Sequence, residues 1–223
     1  SNFVALKQAL DQERISEKLE ELAQRIRRPR SSEPVPGIKA DYVSKKCDKS
    51  VIVNVNTSIN SGDLTELIGL VSAGKEANVY FGYSKEGKPA AIKIYKKDSH
   101  SVRWMNKYII GDPRFTKVGK SPLQVVYTWA KKEFKNLSRL NNHGIKAPFP
   151  YKVRNNLLLM SYIGDHSGTP APRLRDIQEF QNLNKEISTS IKFIEDMFRK
   201  AKLVHGDLSE FNILYHEGCQ YLI

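Results

Sequence analysis

"LIGLVSAGKEANVYFGYSKEGKPAAIKIYK", residues 67–96, contains three β-rich runs, LIGLVS, ANVYFGYS and AAIKIYK, separated by the breaks AGKE and KEGKP. Runs rich in Val, Ile, Tyr and Phe with glycine at each joint predict an antiparallel meander. A competing reading starts one glycine earlier. Gly69 to Glu76 spells G-x-x-x-x-G-K-E, one residue short of a Walker A loop, with Glu76 standing where Ser or Thr would hold magnesium. A Walker A loop must lead from a strand into a helix. Here the glycine loop leads into a second strand, so phosphates lying beneath it would be covered by a hairpin, and the P-loop NTPase reading is set aside.

The third run carries Lys93 in an apolar strand, and a lysine there either snorkels to solvent or needs a partner. The next helix supplies a candidate. Ser121 and Pro122 form a start signal and His143-Gly144 a stop, while Val126, Ala130, Leu137 and Leu140 trace one face. Glu133 falls on that same stripe. A carboxylate there calls for a cation, and pairing with Lys93 would give the ion pair that orients ATP phosphates in protein kinases, whose V-A-I-K strand AAIKIY matches. Further on, NNLLLMSYIGD, residues 155–165, reads as a turn, a buried strand and a glycine exit into a hinge, with Met160 facing an adenine pocket.

The most specific stretch is LVHGDLSEFNILYH, residues 203–216. Asp207 and Asn212 have the D-x-x-x-x-N spacing of a catalytic loop, in which an ionised carboxylate accepts a hydroxyl proton and an amide oxygen holds Mg²⁺. Alone, the spacing also fits a turn with Asp and Asn caps. Its occurrence after GKE, AIK and Glu133, in kinase order, favours the catalytic interpretation.

Other segments are less decisive. Residues 100–120 contain Gly, Pro, Trp104, Tyr108 and Phe115 and read as a long, functional or mobile connection. Ile177, Phe180, Leu183, Ile187, Ile191, Ile194 and Phe198 recur at three and four, predicting one long amphipathic core helix. Residues 3–28 place Leu6, Leu10, Leu19, Leu22 and Ile26 near helical spacing, residues 29–37 read as a Pro-rich linker, and 38–63, including VIVNVN, stay unassigned.

The 223 residues suffice for one bilobal unit, and 36 basic against 24 acidic residues give a net charge of +12. That excess favours polyanions such as RNA. RIRRPR, residues 25–30, is either a nucleic-acid contact or the charged end of a solvated helix. Cys47 and Cys219 lack any C-x-x-C partner, which speaks against both a zinc site and a disulfide framework. No run has the length of a membrane span or the layout of a signal peptide, so an intracellular, cytoplasmic protein without a membrane partner is expected.

SAGKEANVY, AIKIY, WAKKEFKNL, LLLMSYIG and LVHGDLSEFNILY, in this order over residues 64–223, resemble the RIO family of atypical serine protein kinases, most nearly its type-one branch. The resemblance implies an α+β, bilobal protein-kinase-like fold: an antiparallel N-lobe sheet with one helix over 64–160, a mostly helical C-lobe over 161–223, and an N-terminal helical extension and linker over 1–63. It implies ATP with Mg²⁺, or Mn²⁺, as cofactors. Ser72, Ala73, Gly74, Lys75, Glu76 and Val79 would form the reduced glycine loop over the phosphates. Met160 would face adenine, and Ser161 and Ile163 would bind it through backbone groups. Lys93 and Glu133 would orient phosphates, Asp207 would act as base and Asn212 as metal ligand. Serine autophosphorylation would fall in the flexible 100–120 segment, and the partner would be a pre-ribosomal small-subunit particle or its rRNA. Gly206 replaces the arginine of H-R-D, so control by an activation-loop phosphate is not expected. The family has a further metal-binding aspartate beyond the point matching Ile223; since stopping here would expose a strand edge, the polypeptide is expected to continue. Two other functions fit parts of the pattern: a small-molecule kinase of the aminoglycoside or choline type, and a nucleotide-gated RNA- or protein-binding module with little catalysis.

Overall fold

The computed structural model describes residues 61–110 and 121–223, together with Ser58 and Asp112. The N-terminal helix, the linker and VIVNVN lie outside these residues. Strands β1 (Leu64–Ala73), β2 (Ala77–Ser84) and β3 (Pro89–Tyr95) form the expected meander. With β4 (Pro150–Arg154) and β5 (Leu157–Ser161) they make one antiparallel sheet in the order β1-β2-β3-β5-β4. Register is set by alternation: Ile92 and Ile94 point into one apolar cluster with Leu64, Tyr80, Leu157 and Leu159, while Ala91 and Tyr95 point into another with Leu158 and Met160. Lys93 shares the Ala91 and Tyr95 face by the same period. A contact between Lys152 on β4 and Asp63 just before β1, at 2.6 Å, joins the two edge strands.

Two helices cover the Lys93 face. The second, α2 (Pro122–Asn142), begins where Ser121 accepts the Gln124 N–H and Pro122 opens the first turn. It buries Val125, Val126, Ala130, Leu137 and Leu140 against the sheet. The first, α1 (Ser99–Ile109), lies in the segment expected to be a loop. Asp98 caps it, accepting from the backbone of His100 and Ser101, and Ser101, Met105 and Ile109 are buried one turn apart. Trp104 packs edge-on to Trp129 of α2, and Lys132 donates to the Tyr108 carbonyl and pairs with Asp112 at 3.2 Å. The helix thus arises from a cap and a docking surface, since few of its residues are strong helix formers. Residue 111 and residues 113–120 lie outside the described residues.

After the hinge come a 3₁₀ turn (Leu174–Asp176), α3 (Leu183–Arg199) and the hairpin of β6 (Ile213–His216) and β7 (Cys219–Leu222). Helix α3 corrects two expectations. It starts at Leu183, capped by Asn182, so Ile177 and Phe180 precede it. Its stripe does not face the core: Leu183, Ile187, Ile191, Ile194 and Phe198 are 49% to 66% exposed, whereas Glu186, Phe193 and Met197 are buried. The period was correct but the inward side is the other one. Buried Glu186 accepts from the Gln220 amide at 2.8 Å and from the Tyr215 hydroxyl at 3.3 Å, fastening α3 to the hairpin. The hairpin is joined to the region after α2 by the Leu222 N–H, which donates to the Lys146 carbonyl at 2.9 Å. No helix among the described residues is long and apolar enough to cross a membrane.

Candidate active site

Lys93 Nζ and Glu133 Oε1 meet at 2.7 Å, each side chain about a quarter exposed. The strand face and the α2 stripe therefore bring together the two residues that sequence periodicity had paired. Sequence reasoning missed a third. Tyr95, two residues after Lys93 and almost fully buried, donates its hydroxyl to Glu133 Oε2. Burial, reinforced by the neighbouring Glu133 charge, pushes the Tyr95 hydroxyl well above the usual phenol range and keeps it a donor. The signal was available, because residues i and i+2 share a strand face and a buried tyrosine hydroxyl needs a partner.

The glycine loop between β1 and β2 turns where the Gly74 N–H donates to the Ala77 carbonyl at 2.9 Å. A side chain on Gly74 would come to 3.0 Å from that same oxygen, a tight approach that the carbonyl would have to relieve by a small shift. The loop is tied down from outside. Lys96 Nζ donates to the Gly74 carbonyl at 2.6 Å, the Lys96 N–H to the Glu76 carbonyl at 2.8 Å, and the Ser101 hydroxyl to the Lys75 carbonyl at 3.2 Å. Ala73, Gly74 and Lys75 are exposed at the loop tip, while Ser72, Glu76 and Val79 are half-buried. Val79 pairs with Ser72 on one side and with Lys93 on the other.

Asp207 follows Gly206, whose φ of 77° lies in the left-handed region. The Asp207 carboxylate is exposed, and its backbone carbonyl accepts the Asn212 side-chain N–H at 2.7 Å. That contact engages the Asn212 amide nitrogen, and the amide oxygen is the atom whose chemistry suits Mg²⁺. Among the described residues no three His, Cys, Asp or Glu side chains cluster as a metal cage, so Asn212 would supply one ligand of a partly hydrated ion. Glu76 is displaced from the ordinary carboxylate range. Burial pushes its carboxyl above the ordinary range, Lys93 opposes that, and the charges of Glu133 and Asp207 raise it further.

At the hinge, Met160 is buried at the end of β5 opposite Ala91. The Ser161 N–H donates to the Phe149 carbonyl and its hydroxyl accepts from the Phe149 N–H, both at 2.8 Å. The Ile163 carbonyl accepts from Ala171 at 3.1 Å.

A family model described as the RIO domain matches residues 78–223 of the chain. The chain belongs to the RIO family. It is 41% identical over 168 residues to the serine/threonine-protein kinase RIO1 of Homo sapiens, covering 74% of this chain and 29% of that protein. It is 39% identical over 170 residues to the RIO-type serine/threonine-protein kinase Rio1 of Methanocaldococcus jannaschii, covering 75% of this chain and 56% of that one. These Rio1 names support placement in the type-one branch. The chain thus spans between under a third and just over half the length of these two relatives. The structure of the Rio2 kinase from Chaetomium thermophilum matches with a TM-score of 0.51 at 18% identity, over 92% of this chain and 65% of that one, a likeness of fold. The bilobal, kinase-like α+β architecture is the RIO fold, with α1 as a helix that the motifs did not announce.

Proposed function

We propose that this RIO chain is an ATP- and Mg²⁺-dependent serine/threonine phosphotransferase or ATPase. The observation that carries this is the 2.7 Å contact between Lys93 and Glu133 in a chain of the RIO family. Residues 64–160 act as the lobe that clasps nucleotide and 161–223 as part of the lobe that carries the base. Adenine sits against Met160, with the Ser161 carbonyl and the Ile163 N–H as its backbone partners. Residues 72–76 and Val79 cover the phosphates, and Lys93, held by Glu133, orients them. Asn212 holds Mg²⁺, or Mn²⁺ in its place, which would neutralise charge on the phosphates. Asp207, exposed and fixed by its loop, accepts the proton of the attacking hydroxyl or water.

The one serine of the 100–120 segment, Ser101, is buried and bonded to Asp98, so serine autophosphorylation shifts from that segment to Ser99, exposed just before it. Action on the maturing small ribosomal subunit, in the cytoplasm, accords with the net charge of +12. An ATP analogue with an acyl phosphate tests the arrangement, since it acylates a lysine lying against the phosphates. Labelling should fall on Lys93 and be blocked by ATP; labelling spread over surface lysines and insensitive to ATP would contradict it.

A further inference from the structure

Glu133 has two carboxylate oxygens, and the structure engages both from one strand. Oε1 accepts from Lys93 at 2.7 Å and Oε2 accepts from the Tyr95 hydroxyl. Lys93 Nζ also lies 5.4 Å from the centre of the Tyr95 ring. Tyr95 is itself immobilised. It is 1% exposed, its N–H donates to the Asn156 carbonyl at 2.9 Å, and its carbonyl accepts the Asn156 amide at 2.8 Å. Lys93 and Glu133, by contrast, are each reached by water, and a part-exposed pair of long side chains is weakened by screening and by the entropy of holding both. The rigid member of the group is the tyrosine. The next residue, Lys96, holds the Gly74 and Glu76 carbonyls, so the end of β3 fastens both the glycine loop and the carboxylate.

We infer that Tyr95 is a positioning residue for the nucleotide phosphates: its hydroxyl holds Glu133 Oε2, which keeps Lys93 aligned before nucleotide arrives. This rests on the phosphotransfer reading above, and it makes the Lys93–Glu133 pair a permanent feature of the resting protein. Helix α2 then needs no inward movement to complete the site.

The test measures the affinity of wild type, Tyr95→Phe, Glu133→Gln and the double variant for MgATP and for adenosine by calorimetry. Loss of one hydrogen bond to a part-exposed carboxylate should weaken MgATP about fivefold to tenfold in Y95F. Adenosine, which lacks phosphates, should be unaffected, and Y95F should add nothing in the E133Q background because the two act as one unit. Equal losses for both ligands would show a merely structural tyrosine and overturn the inference, as would full additivity, or Y95F binding like wild type while E133Q is weakened. Wild type that binds no MgATP would overturn the phosphotransfer reading and this inference with it, whereas E133Q that binds it like wild type would overturn this inference alone. A measurement on folded wild type needs no Tyr95 variant: the Tyr95 hydroxyl proton should give a protected, downfield NMR resonance that vanishes in E133Q, and its absence from wild type would equally overturn the inference.

Discussion

Gly206 shows how one backbone angle conditions the loop proposed to carry the base. Its φ of 77° is open to glycine and strained for other residues, and a side chain built there meets no atom within 4 Å. The strain of Gly206→Ala is therefore conformational alone, about 1–2 kcal/mol. A melting curve should show a drop of roughly 2–4 °C per kcal/mol, and turnover should fall as Asp207 is re-aimed. An unchanged melt would contradict the left-handed assignment. Asp63 gives a second prediction. Burial raises its carboxyl, but hydrogen bonds from Lys152 and Ser61 outweigh this and leave it below the ordinary range. A depressed folded-state value contributes stability above the unfolded value of about 3.9 and loses it as pH falls through the folded value. Asp63→Asn should flatten the acid limb of the stability profile below about pH 4. At neutral pH it should cost no more than about 1 kcal/mol, because Lys152 is partly exposed.

At the scale of elements, helix α3 separates what periodicity reveals from what it conceals. Spacing groups Leu183, Ile187, Ile191, Ile194 and Phe198 on one face, yet only packing decides which face has a neighbour, and Phe193 and Met197 are the buried ones. In this 223-residue chain Ile191→Ser should change stability by less than about 0.5 kcal/mol. Phe193→Ala should cost about 3–5 kcal/mol, and urea titrations of the two variants distinguish the faces. The β1-β2-β3 meander and α2 were legible because their signals are local: alternation, glycine at the joints, and Ser121-Pro122 at the helix start. Ser121→Ala should remove about 1 kcal/mol, read as an earlier thermal transition. Helix α1 was not legible, since Ser99, His100 and Asn106 favour helix weakly and its stability comes from Asp98 and from docking on α2. Lys93, Glu133, Asp207 and Asn212 could be named from spacing. Tyr95 and Lys96 were overlooked because their partners, Glu133 and the loop carbonyls, are set by tertiary contact.

For the whole molecule, the sheet supplies two faces of opposite use. One buries an all-apolar cluster around Ile92 and Ile94, and the other sets Lys93 and Tyr95 against α2. The Leu222 N–H, donating to the Lys146 carbonyl, joins the β6–β7 hairpin to the segment just past α2. The central claim is that this assembly transfers phosphate and that Asp207 is its base. The direct measurement is release and self-transfer of labelled γ-phosphate from MgATP by the full-length protein, with and without Asp207→Asn. The account predicts turnover in the wild type and a loss of at least about a hundredfold in D207N, with MgATP still bound. Nucleotide binding with no turnover that depends on Asp207 would contradict it and leave a nucleotide-gated binding module in its place.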